Sequence, residues 1–335
     1  MATRKKKTDT RPSDALDQET LLWMYRDMTR QRRMEEGFAR SYGMGKIHGF
    51  CHLYIGQEAV STGSTAAIRS DDLVVSAYRI HGQALSRGIS MQAIADELYG
   101  KASGCVGGVG GSMHLFDVEK GFLGGWGLVG QQVPMGVGVA FAQKYLGNEK
   151  VTLVYMGDGA MQQGAIHEAL NYASVWDIPC VFILENNNYG MGTAIERVSA
   201  IRPFHQWAAG YNMDHGEFDG MDALATYDAV HTAAERARST QRPTFLEARC
   251  ARFRGHSMSD PGKYRSKEKL EEEKAQDPIP KLGRVLLDRK LATQDELDAI
   301  DREAKDEIKE VLKNAEKAEW PADETIFRNI TADPG

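Results

Sequence analysis

Two short apolar segments, each followed by glycine or polar residues, mark the centre of the chain. The first covers residues 151–156 and ends at a Gly-Asp-Gly sequence that contains Asp158. The second covers residues 180–184 and ends at a Glu-Asn-Asn sequence that contains Asn187. Short branched runs bounded in this way are typical of buried parallel strands. Apolar residues recur at helical spacing over residues 165–173, so the pattern predicts a β-α-β unit.

Strand and helix patterns continue on both sides of this unit. The predicted helices cover residues 17–39, 57–68, 90–99, 136–145, 226–239 and much of 266–320, the predicted strands cover 73–77 and 244–251, and glycine-rich or polar turns cover 100–111, 124–130 and 252–265. This order predicts an α/β fold. We expect a doubly wound, mainly parallel sheet with helices on both faces, extended by helices at the N and C termini.

The character of the sequence divides the chain into three parts. Residues 1–16 have four basic residues in a row at positions 4–7 and no apolar segment. They predict a disordered basic tail, and not a secretory signal. Residues 17–265 carry the alternating pattern of the α/β domain. Residues 266–335 are charged and amphipathic, and predict a C-terminal helical extension.

The ends of the two central strands carry oxygen donors that suit a hard cation. Parallel strands place their carboxyl ends at one edge of a sheet, where open α/β sheets bind ligands, so Asp158 and Asn187 are expected side by side. Magnesium takes about six oxygen ligands at ~2.1 Å, usually from a few protein groups with phosphates and water. Asp158, Asn187 and the carbonyl of Tyr189 are candidate ligands. Gly157 and Gly159 allow the backbone to approach a phosphate closely.

Several other residues each have two interpretations. His52 precedes a predicted helix and is either a packing residue or a contact to an anionic cofactor or substrate. Arg79 follows a predicted strand and is either a surface residue or a fork for a diphosphate. The backbone at Gly127 and Val129 either packs tightly or hydrogen-bonds a planar heterocycle. No Gly-x-Gly-x-x-Gly sequence follows a predicted strand and opens a helix, so a nicotinamide dinucleotide site is poorly supported.

Composition and charge argue against several classes of protein. The net charge of −6 gives the chain no general attraction to nucleic acid. No apolar run approaches membrane-spanning length. The four cysteines have neither metal-site nor disulfide spacing, which is typical of a reducing compartment. We therefore expect a bacterial cytoplasmic protein without nucleic-acid or membrane partners.

The chain resembles the alpha subunits of pyruvate dehydrogenase, within the family of thiamine diphosphate-dependent 2-oxo acid dehydrogenases. The resemblance covers residues 21–320 and is specific, because many motifs occur at matching spacing. These motifs are Gly-Phe-Cys-His-Leu-Tyr at 49–54, Ala-Tyr-Arg at 77–79, Gly-Gly-Ser-Met-His at 110–114, Gly-Leu-Val-Gly at 127–130, Gly-Asp-Gly at 157–159, Glu-Asn-Asn at 185–187 and Gly-His-Ser-Met-Ser-Asp-Pro at 255–261.

The resemblance assigns roles to individual residues of this chain. It implies a thiamine diphosphate-binding fold with magnesium as a second cofactor. The implied magnesium ligands are Asp158, Asn187 and the Tyr189 carbonyl, the implied diphosphate contacts are Tyr78, Arg79, Gly159, Ala160 and His256, the implied aminopyrimidine contacts are the backbone groups of Gly127 and Val129, and the implied active-site histidines are His52 and His256.

The resemblance also implies the reaction and the partners. The expected reaction is the decarboxylation of pyruvate followed by reductive acetylation of a lipoyl group on dihydrolipoamide acetyltransferase. Dihydrolipoamide dehydrogenase is the further enzyme expected in the same complex. A separate beta subunit is expected, in an assembly of two alpha and two beta chains, because a glutamate at the pyrimidine ring comes from a second domain in this family.

The sequence leaves four other functions open. Trp126 stands where relatives carry Asn or His, and Arg254 stands where many carry a second histidine. Since Trp126 could reshape the substrate pocket, branched-chain 2-oxo acid and acetoin dehydrogenases are close alternatives, although Gln-Val-Pro-Met-Gly at 132–136 is more typical of the pyruvate enzymes. A non-catalytic cofactor-binding subunit and a nicotinamide dehydrogenase are more distant alternatives.

Overall fold

The computed structural model describes residues 10–328 and residue 330, which fold as layers of helices around one main sheet. The strands are β1 (Leu73–Ser76), β2 (Phe122–Gly125), β3 (Thr152–Gly157), β4 (Cys180–Asn186), β5 (Tyr189–Gly190), β6 (Thr193–Ala194), β7 (Asp214–Asp219) and β8 (Thr244–Arg249). The helices are α1 (Gln18–Gly43), α2 (Glu58–Ala66), α3 (His81–Ser86), α4 (Met91–Leu98), α5 (Gln132–Tyr145), α6 (Gly164–Val175), α7 (Ala223–Thr240), α8 (Lys267–Lys274), α9 (Pro278–Asp288) and α10 (Gln294–Lys317).

The main sheet has six parallel strands in the order β2-β1-β3-β4-β8-β7, and β5 and β6 form a separate two-stranded hairpin. The chain passes from β1 out to β2 at one edge and returns to β3 on the other side of β1. The winding direction therefore reverses between β1 and β3, which leaves a crevice at the carboxyl ends of the strands. The predicted doubly wound parallel sheet is confirmed, with the β3-α6-β4 unit at its centre.

Alternate residues of the central strands face opposite layers, as the two-residue repeat of a strand requires. In β3, Leu153 and Tyr155 belong to one apolar core, whereas Val154 and Met156 belong to the other. Helices α4 and α7 and the end of α10 cover the first core, and α5 and α6 cover the second. Burial on both faces explains why the strand sequences are continuously apolar.

The C-terminal helices pack directly on the α/β domain. Leu297 of α10 lies in an apolar cluster with residues of α1, α2, α7 and α9. Ile308 and Val311, further along α10, lie in the same core as the strands β1 and β3. Arg33 of α1 also donates to Asp301 of α10 at 2.6 Å. Helix α10 therefore completes the core of the domain.

The two longest helices begin where side chains cap their free backbone N–H groups. Asp17 accepts the N–H of Thr20 at 2.8 Å at the start of α1. Thr293 and Glu296 form a reciprocal capping box at the start of α10. Within residues 10–328, we find no helix whose length and apolar character would allow it to cross a membrane.

Strand β2 differs from the sequence prediction, which placed a turn over residues 124–130. Phe122 is buried and pairs with Val74 of β1. The ring of Phe116 fills the space beside Gly124, so this position has no room for a side chain. A four-residue edge strand that contains two glycines has low β propensity, and the sequence pattern therefore did not reveal it.

The N-terminal tail is also more ordered than the sequence predicted. Residues 1–9 lie outside the described residues. Pro12–Ala15 forms a turn of 3-10 helix, and the N–H and hydroxyl of buried Ser13 donate to the Asp228 carboxylate at 2.7 and 2.9 Å. The predicted disorder is thus corrected for residues 10–16 only, where the 3-10 turn and the contacts of Ser13 order the chain.

The close packing of α2 against α7 can be tested at Gly63. A Cβ atom at Gly63 would lie 2.6 Å from the carbonyl oxygen of Ala223 and 2.7 Å from Cβ of Thr226. We expect Gly63→Ala to lower the free energy of unfolding by about 1–3 kcal/mol, because the two helices must move apart. Urea denaturation followed by circular dichroism would measure the change.

Gly43→Ala is the matched control. Gly43 is also helical, but a Cβ atom there would have no neighbour within 4 Å. Alanine favours a helix over glycine by up to about 1 kcal/mol, so this variant should be as stable as the parent or slightly more stable. Equal stability of the two variants would show that the α2–α7 contact tolerates a methyl group.

Candidate active site

Polar residues follow the carboxyl ends of four neighbouring strands. Tyr78 and Arg79 follow β1, Asp158 follows β3, Asn187 follows β4, and Arg252 follows β8. Because β1, β3, β4 and β8 are adjacent in the sheet, these residues meet in one place. They line a cleft at the edge where a doubly wound sheet binds its ligands.

All of the predicted site residues lie along this cleft or along a second one that adjoins it. The first cleft is lined by Tyr78, Arg79, Val129, Asp158, Gly159, Ala160, Asn187, Tyr189 and His256, and the second by His52, Tyr78, Gly127, Val129 and His256. The fold thus brings together residues that are more than 200 positions apart in the sequence. Their individual roles remain predictions.

Asp158 has an unused carboxylate oxygen that is buried in the cleft. The residue is 1% exposed, and Oδ2 has no hydrogen-bond partner among the described residues. Burial raises the pKa of Asp158 to about 6, although the backbone N–H groups of Asp158 and Asn187 oppose this rise. A buried carboxylate without a partner is costly, so this oxygen is a suitable ligand for a cation.

Two glycines allow the β5–β6 hairpin to approach Asp158. An ideal Cβ atom at Gly159 would lie only 3.0 Å from Cα of Gly190. Side chains at these positions would push the hairpin away from the end of β3. The contact therefore keeps the Tyr189 carbonyl near the Asp158 turn.

The side-chain amide of Asn187 is oriented by a neighbour in the cleft. Its Nδ2 atom donates to Oε1 of Gln57 at 3.2 Å, which directs Oδ1 away from Gln57. Oδ1 of Asn187 and the carbonyl oxygen of Tyr189 lie 3.2 and 3.3 Å from the same guanidinium nitrogen of Arg252. Two of the three predicted metal ligands therefore already converge on a positive group.

The three predicted metal ligands differ from those of a metal site built only from acidic, imidazole or thiol side chains. Within residues 10–328, no group of three or more His, Cys, Asp or Glu side chains is arranged to hold a metal ion. The predicted set has one carboxylate, one amide and one backbone carbonyl. Such a set suits magnesium, which usually keeps water and phosphate oxygens in its shell.

Arg79 and Arg252 bring two buried positive charges to the cleft. Arg79 is 6% exposed and donates to two backbone carbonyl oxygens. Arg252 is 3% exposed and donates to two backbone carbonyl oxygens, to Asn187 and to the hydroxyl of Tyr264. Burial, followed by the charge of Arg252, lowers the pKa of Arg79 to about 10. Since these acceptors are all neutral, the pair is well placed to bind an anion.

Two histidines and a tyrosine form an aromatic cluster where the clefts meet. The ring centroid of His52 lies 4.6 Å from that of Tyr78 and 5.0 Å from that of His256. Burial, followed by the charge of Arg79, lowers the pKa of His52 to about 2 and that of His256 to about 4. Both rings are therefore neutral at pH 7. The buried Nδ1 atom of each has no hydrogen-bond partner among the described residues.

The predicted polar loop over residues 252–265 is held by its own hydrogen bonds. The Asp260 carboxylate accepts the backbone N–H groups of His256 and Gly262 at 2.6 and 2.8 Å. It also accepts the hydroxyl of Tyr264 at 2.7 Å. These contacts fix the backbone that carries His256, so polar groups provide the anchors that apolar residues would provide elsewhere.

Arg252, Gln57 and Glu185 also line the first cleft, and the sequence pattern alone did not predict them as site residues. Arg252 was assigned to the polar loop, although its place directly after an apolar strand resembles that of Arg79. Glu185 is buried, and burial raises its pKa to about 7. Its carboxyl group accepts the hydroxyl of Tyr54 and contacts the side chain of Gln57. The Glu-Asn-Asn motif that contains Glu185 could have identified it as a site residue from the sequence.

Trp126 and Arg254, which differ from the family pattern, do not line either cleft. The ring of Trp126 packs edge to face against Phe116, with centroids 6.0 Å apart. Trp126 lines neither of the two clefts, and its buried Nε1 has no acceptor among the described residues. Arg254 is exposed on the loop. The N–H of Trp126 donates to the carbonyl oxygen of Ala77, which lines the first cleft, so the backbone of Trp126 borders the site while its ring packs on Phe116.

The family profile and the named relatives that match this chain agree with each other. The profile of the Dehydrogenase E1 component family matches residues 26–324. A Rickettsia bellii protein named pyruvate dehydrogenase E1 component subunit alpha is 42% identical over 306 residues, which are 91% of this chain and 94% of that protein. Proteins of the same name from Rhizobium meliloti and Zymomonas mobilis are 44% and 43% identical, over 91% and 94% of this chain and 88% and 89% of their own lengths.

Proposed function

The chain belongs to the dehydrogenase E1 component family, and we propose that it acts as the alpha subunit of a pyruvate dehydrogenase. The proposed reaction decarboxylates pyruvate and transfers the acetyl group to the lipoyl group of dihydrolipoamide acetyltransferase. The names of relatives that match most of the chain support this reaction. We further propose that dihydrolipoamide dehydrogenase belongs to the same complex, and that the complex works in a bacterial cytoplasm.

The observation that carries the proposal is the charge pattern of the first cleft. Among the described residues, Arg79 and Arg252 are buried there without a carboxylate acceptor, and Asp158 is buried there with an unused oxygen. A buried charge costs several kcal/mol when it stays unpaired. A magnesium ion bound to a diphosphate would satisfy both needs, since it brings a cation to Asp158 and phosphate oxygens to the arginines.

We propose thiamine diphosphate and magnesium as the cofactors. Asp158, Asn187 and the carbonyl of Tyr189 would hold the metal ion, and the backbone at Gly127 and Val129 would hold the pyrimidine ring. When bound, thiamine diphosphate supplies the electron sink for decarboxylation of a 2-oxo acid. The proposed diphosphate contacts are Tyr78, Arg79, Gly159, Ala160 and His256.

We propose that His52 and His256 also contact the substrate. Both imidazoles are neutral at pH 7 because burial lowers their pKa values. Each has a buried Nδ1 that finds no partner in the part of the chain that the structure describes, so each ring can exchange a hydrogen bond with a substrate oxygen. Their edge-to-face contact fixes the two rings relative to each other. They would orient the 2-oxo acid and hold a proton near its carbonyl group.

An exposed apolar surface supports the proposed beta subunit. Phe141 of α5 packs against Trp176, which follows α6, with ring centroids 5.5 Å apart, and Trp176 packs against Tyr172 at 5.1 Å. All three side chains are more than 40% exposed. Contiguous exposed aromatic residues of this kind mark protein interfaces. Leu128 and Val129 are also exposed, and Val129 lines both clefts.

The glycines of α5 divide between the core and this surface. Glycine and alanine make up four of the seven residues over 136–142. Gly136 faces inward, because a Cβ atom there would lie 2.5 Å from the side chain of Val154. Gly138 faces outward with nothing within 4 Å. Only the outward positions, such as Gly138 and Phe141, are available to a partner.

The metal assignment predicts that Asp158→Ala abolishes magnesium-dependent binding of thiamine diphosphate. Loss of a carboxylate that binds the metal directly should exceed the roughly 10–100-fold loss seen when a residue only orients a ligand. Calorimetric titration of the chain assembled with the beta subunit of the same organism would measure the affinity.

Asp27→Asn is a matched control for a buried carboxyl group outside the cleft. Asp27 is 4% exposed and accepts hydrogen bonds from Gln31, Thr62 and Ser86. This variant should bind the cofactor as the parent does. A near-normal affinity of Asp158→Ala with magnesium present would remove Asp158 from the metal site.

The requirement for a beta subunit predicts that this chain alone does not turn over pyruvate. The part that the structure describes has one six-stranded sheet, and we propose that the acid at the pyrimidine ring comes from the other subunit. The chain would be supplied with thiamine diphosphate, magnesium, pyruvate and an artificial electron acceptor, before and after addition of the beta subunit. Full turnover before the addition would contradict the proposal.

The choice of substrate is tested with the same assembled enzyme. Because Trp126 does not line the clefts, we expect it to leave the preference for pyruvate unchanged. Pyruvate should have a higher kcat/KM than branched 2-oxo acids or acetoin. A higher value for a branched 2-oxo acid or for acetoin would reassign the chain to that sister enzyme, while leaving its cofactors in place.

A further inference from the structure

Three buried polar side chains form a hydrogen-bonded relay behind His52. Glu35 of α1, His81 at the start of α3 and Ser112 after the glycine-rich loop are 0%, 0% and 4% exposed. Nδ1 of His81 lies 2.9 and 3.0 Å from the two carboxylate oxygens of Glu35. Nε2 of His81 lies 2.9 Å from Oγ of Ser112 and 3.2 Å from its carbonyl oxygen.

The two ends of the relay hold the backbone of the segment that carries His52. The N–H of Tyr54 donates to Oε1 of Glu35 at 2.7 Å. The N–H of His52 donates to Oγ of Ser112 at 3.4 Å. Because His81 connects Glu35 with Ser112, residues 52–54 are held at both ends by one continuous set of hydrogen bonds.

The hydrogen bonds to the backbone of residues 52–54 are needed to place the His52 ring, because no hydrogen bond among the described residues holds the ring itself. Its Nδ1 atom has no partner among the described residues. The ring nevertheless has to stay beside Tyr78 and His256, at centroid distances of 4.6 and 5.0 Å. Packing and the position of the backbone must therefore place the ring.

The glycine-rich loop holds Ser112, one end of the relay, in position. The Glu97 carboxylate accepts the N–H groups of Val106 and Gly108 on one oxygen at 3.0 and 2.8 Å. It accepts those of Gly110 and Gly111 on the other oxygen at 2.7 and 3.1 Å. Four charge-assisted hydrogen bonds to one carboxylate hold the loop rigidly. Ser112 follows directly, so its hydroxyl is fixed by the loop.

A second buried network of hydrogen bonds lies nearby, and its role is purely structural. Asp27 accepts hydrogen bonds from Gln31, Thr62 and Ser86. These contacts connect α1, α2 and α3, and none of the four residues lines either cleft. The relay through His81 differs because both of its ends reach the segment that carries His52.

We propose that Glu35, His81 and Ser112 are positioning residues that act on the reaction through His52. The proposal rests on the proposed function, since it assumes that His52 contacts the substrate. The relay fixes the backbone at residues 52–54, and the backbone in turn fixes the ring over the second cleft. A reacting group displaced by about 1 Å loses on the order of 100-fold in rate, so these buried residues should affect turnover more than substrate binding.

Glu35→Gln and Ser112→Ala test the two ends of the relay in the enzyme assembled with its beta subunit. Glutamine has one acceptor oxygen where the carboxylate uses two, so it cannot serve Tyr54 and His81 equally. We expect hydrogen exchange of a peptide covering residues 50–56 to become about tenfold faster. We expect kcat for pyruvate to fall by about 10–100-fold, with KM and the affinity for thiamine diphosphate nearly unchanged.

Ser86→Ala is the matched control, because it removes a buried hydroxyl from the same helix as His81. Its exchange over residues 50–56 and its kcat should match the parent. Ser112→Thr keeps the hydroxyl and should restore most of the kcat lost in Ser112→Ala. Either Glu35→Gln or Ser112→Ala gives the exchange result on its own if the other variant fails to fold.

A double-mutant comparison separates this proposal from the proposed function. In a His52→Ala background, Glu35→Gln should lower kcat by less than about threefold, since its effect acts through the missing ring. The same loss with and without His52, or unchanged exchange in Glu35→Gln and Ser112→Ala, would overturn the proposal. Normal turnover by His52→Ala alone would instead contradict the role of His52, while the exchange result would still decide whether the relay holds the backbone.

Discussion

The parallel pairing of β3 with β4 is the constraint on which the site depends. The register ends with Gly157 opposite Glu185, so Asp158 and Asn187 leave the sheet side by side. A shift of one residue would turn the side chains of a strand to the opposite face and would exchange the residues of the two apolar cores. Burial on both faces therefore fixes the register, and the register fixes the distance between the oxygen donors.

The cleft concentrates buried charges that form no direct ion pair among the described residues, although Arg79 and Arg252 act on Asp158 at longer range. Arg79, Arg252 and Asp158 are all nearly fully buried, and a buried unpaired charge lowers stability. The two apolar cores, which the helices and the sheet share, offset this cost. The site is thus less stable than its surroundings until a ligand of matching charge binds, which is a common property of functional sites.

The sequence predicted those features that follow from local pattern and strand geometry. The apolar runs of β3 and β4 identified Asp158 and Asn187, because a strand end is visible in the order of residues. At Gly127 and His52 the local pattern left a packing role and a ligand contact both open, and the family resemblance favoured the ligand contact. The contact of Arg252 with Asn187 and those of His81 with Glu35 and Ser112 were not predicted, since they join residues that are 31 to 65 positions apart. Such pairs depend on how whole elements pack.

The packing of α1 against α10 has a consequence for synthesis in the cell. The ion pair between Arg33 and Asp301 and the shared cluster of Leu21 and Leu297 join the first helix of the chain to its last. A ribosome adds about 5–20 residues per second, so α1 emerges on the order of tens of seconds before α10. During that interval Leu21 has no α10 to cover it. The nascent chain therefore presents an apolar surface that chaperones can bind, and translation sets the earliest time at which the core can close.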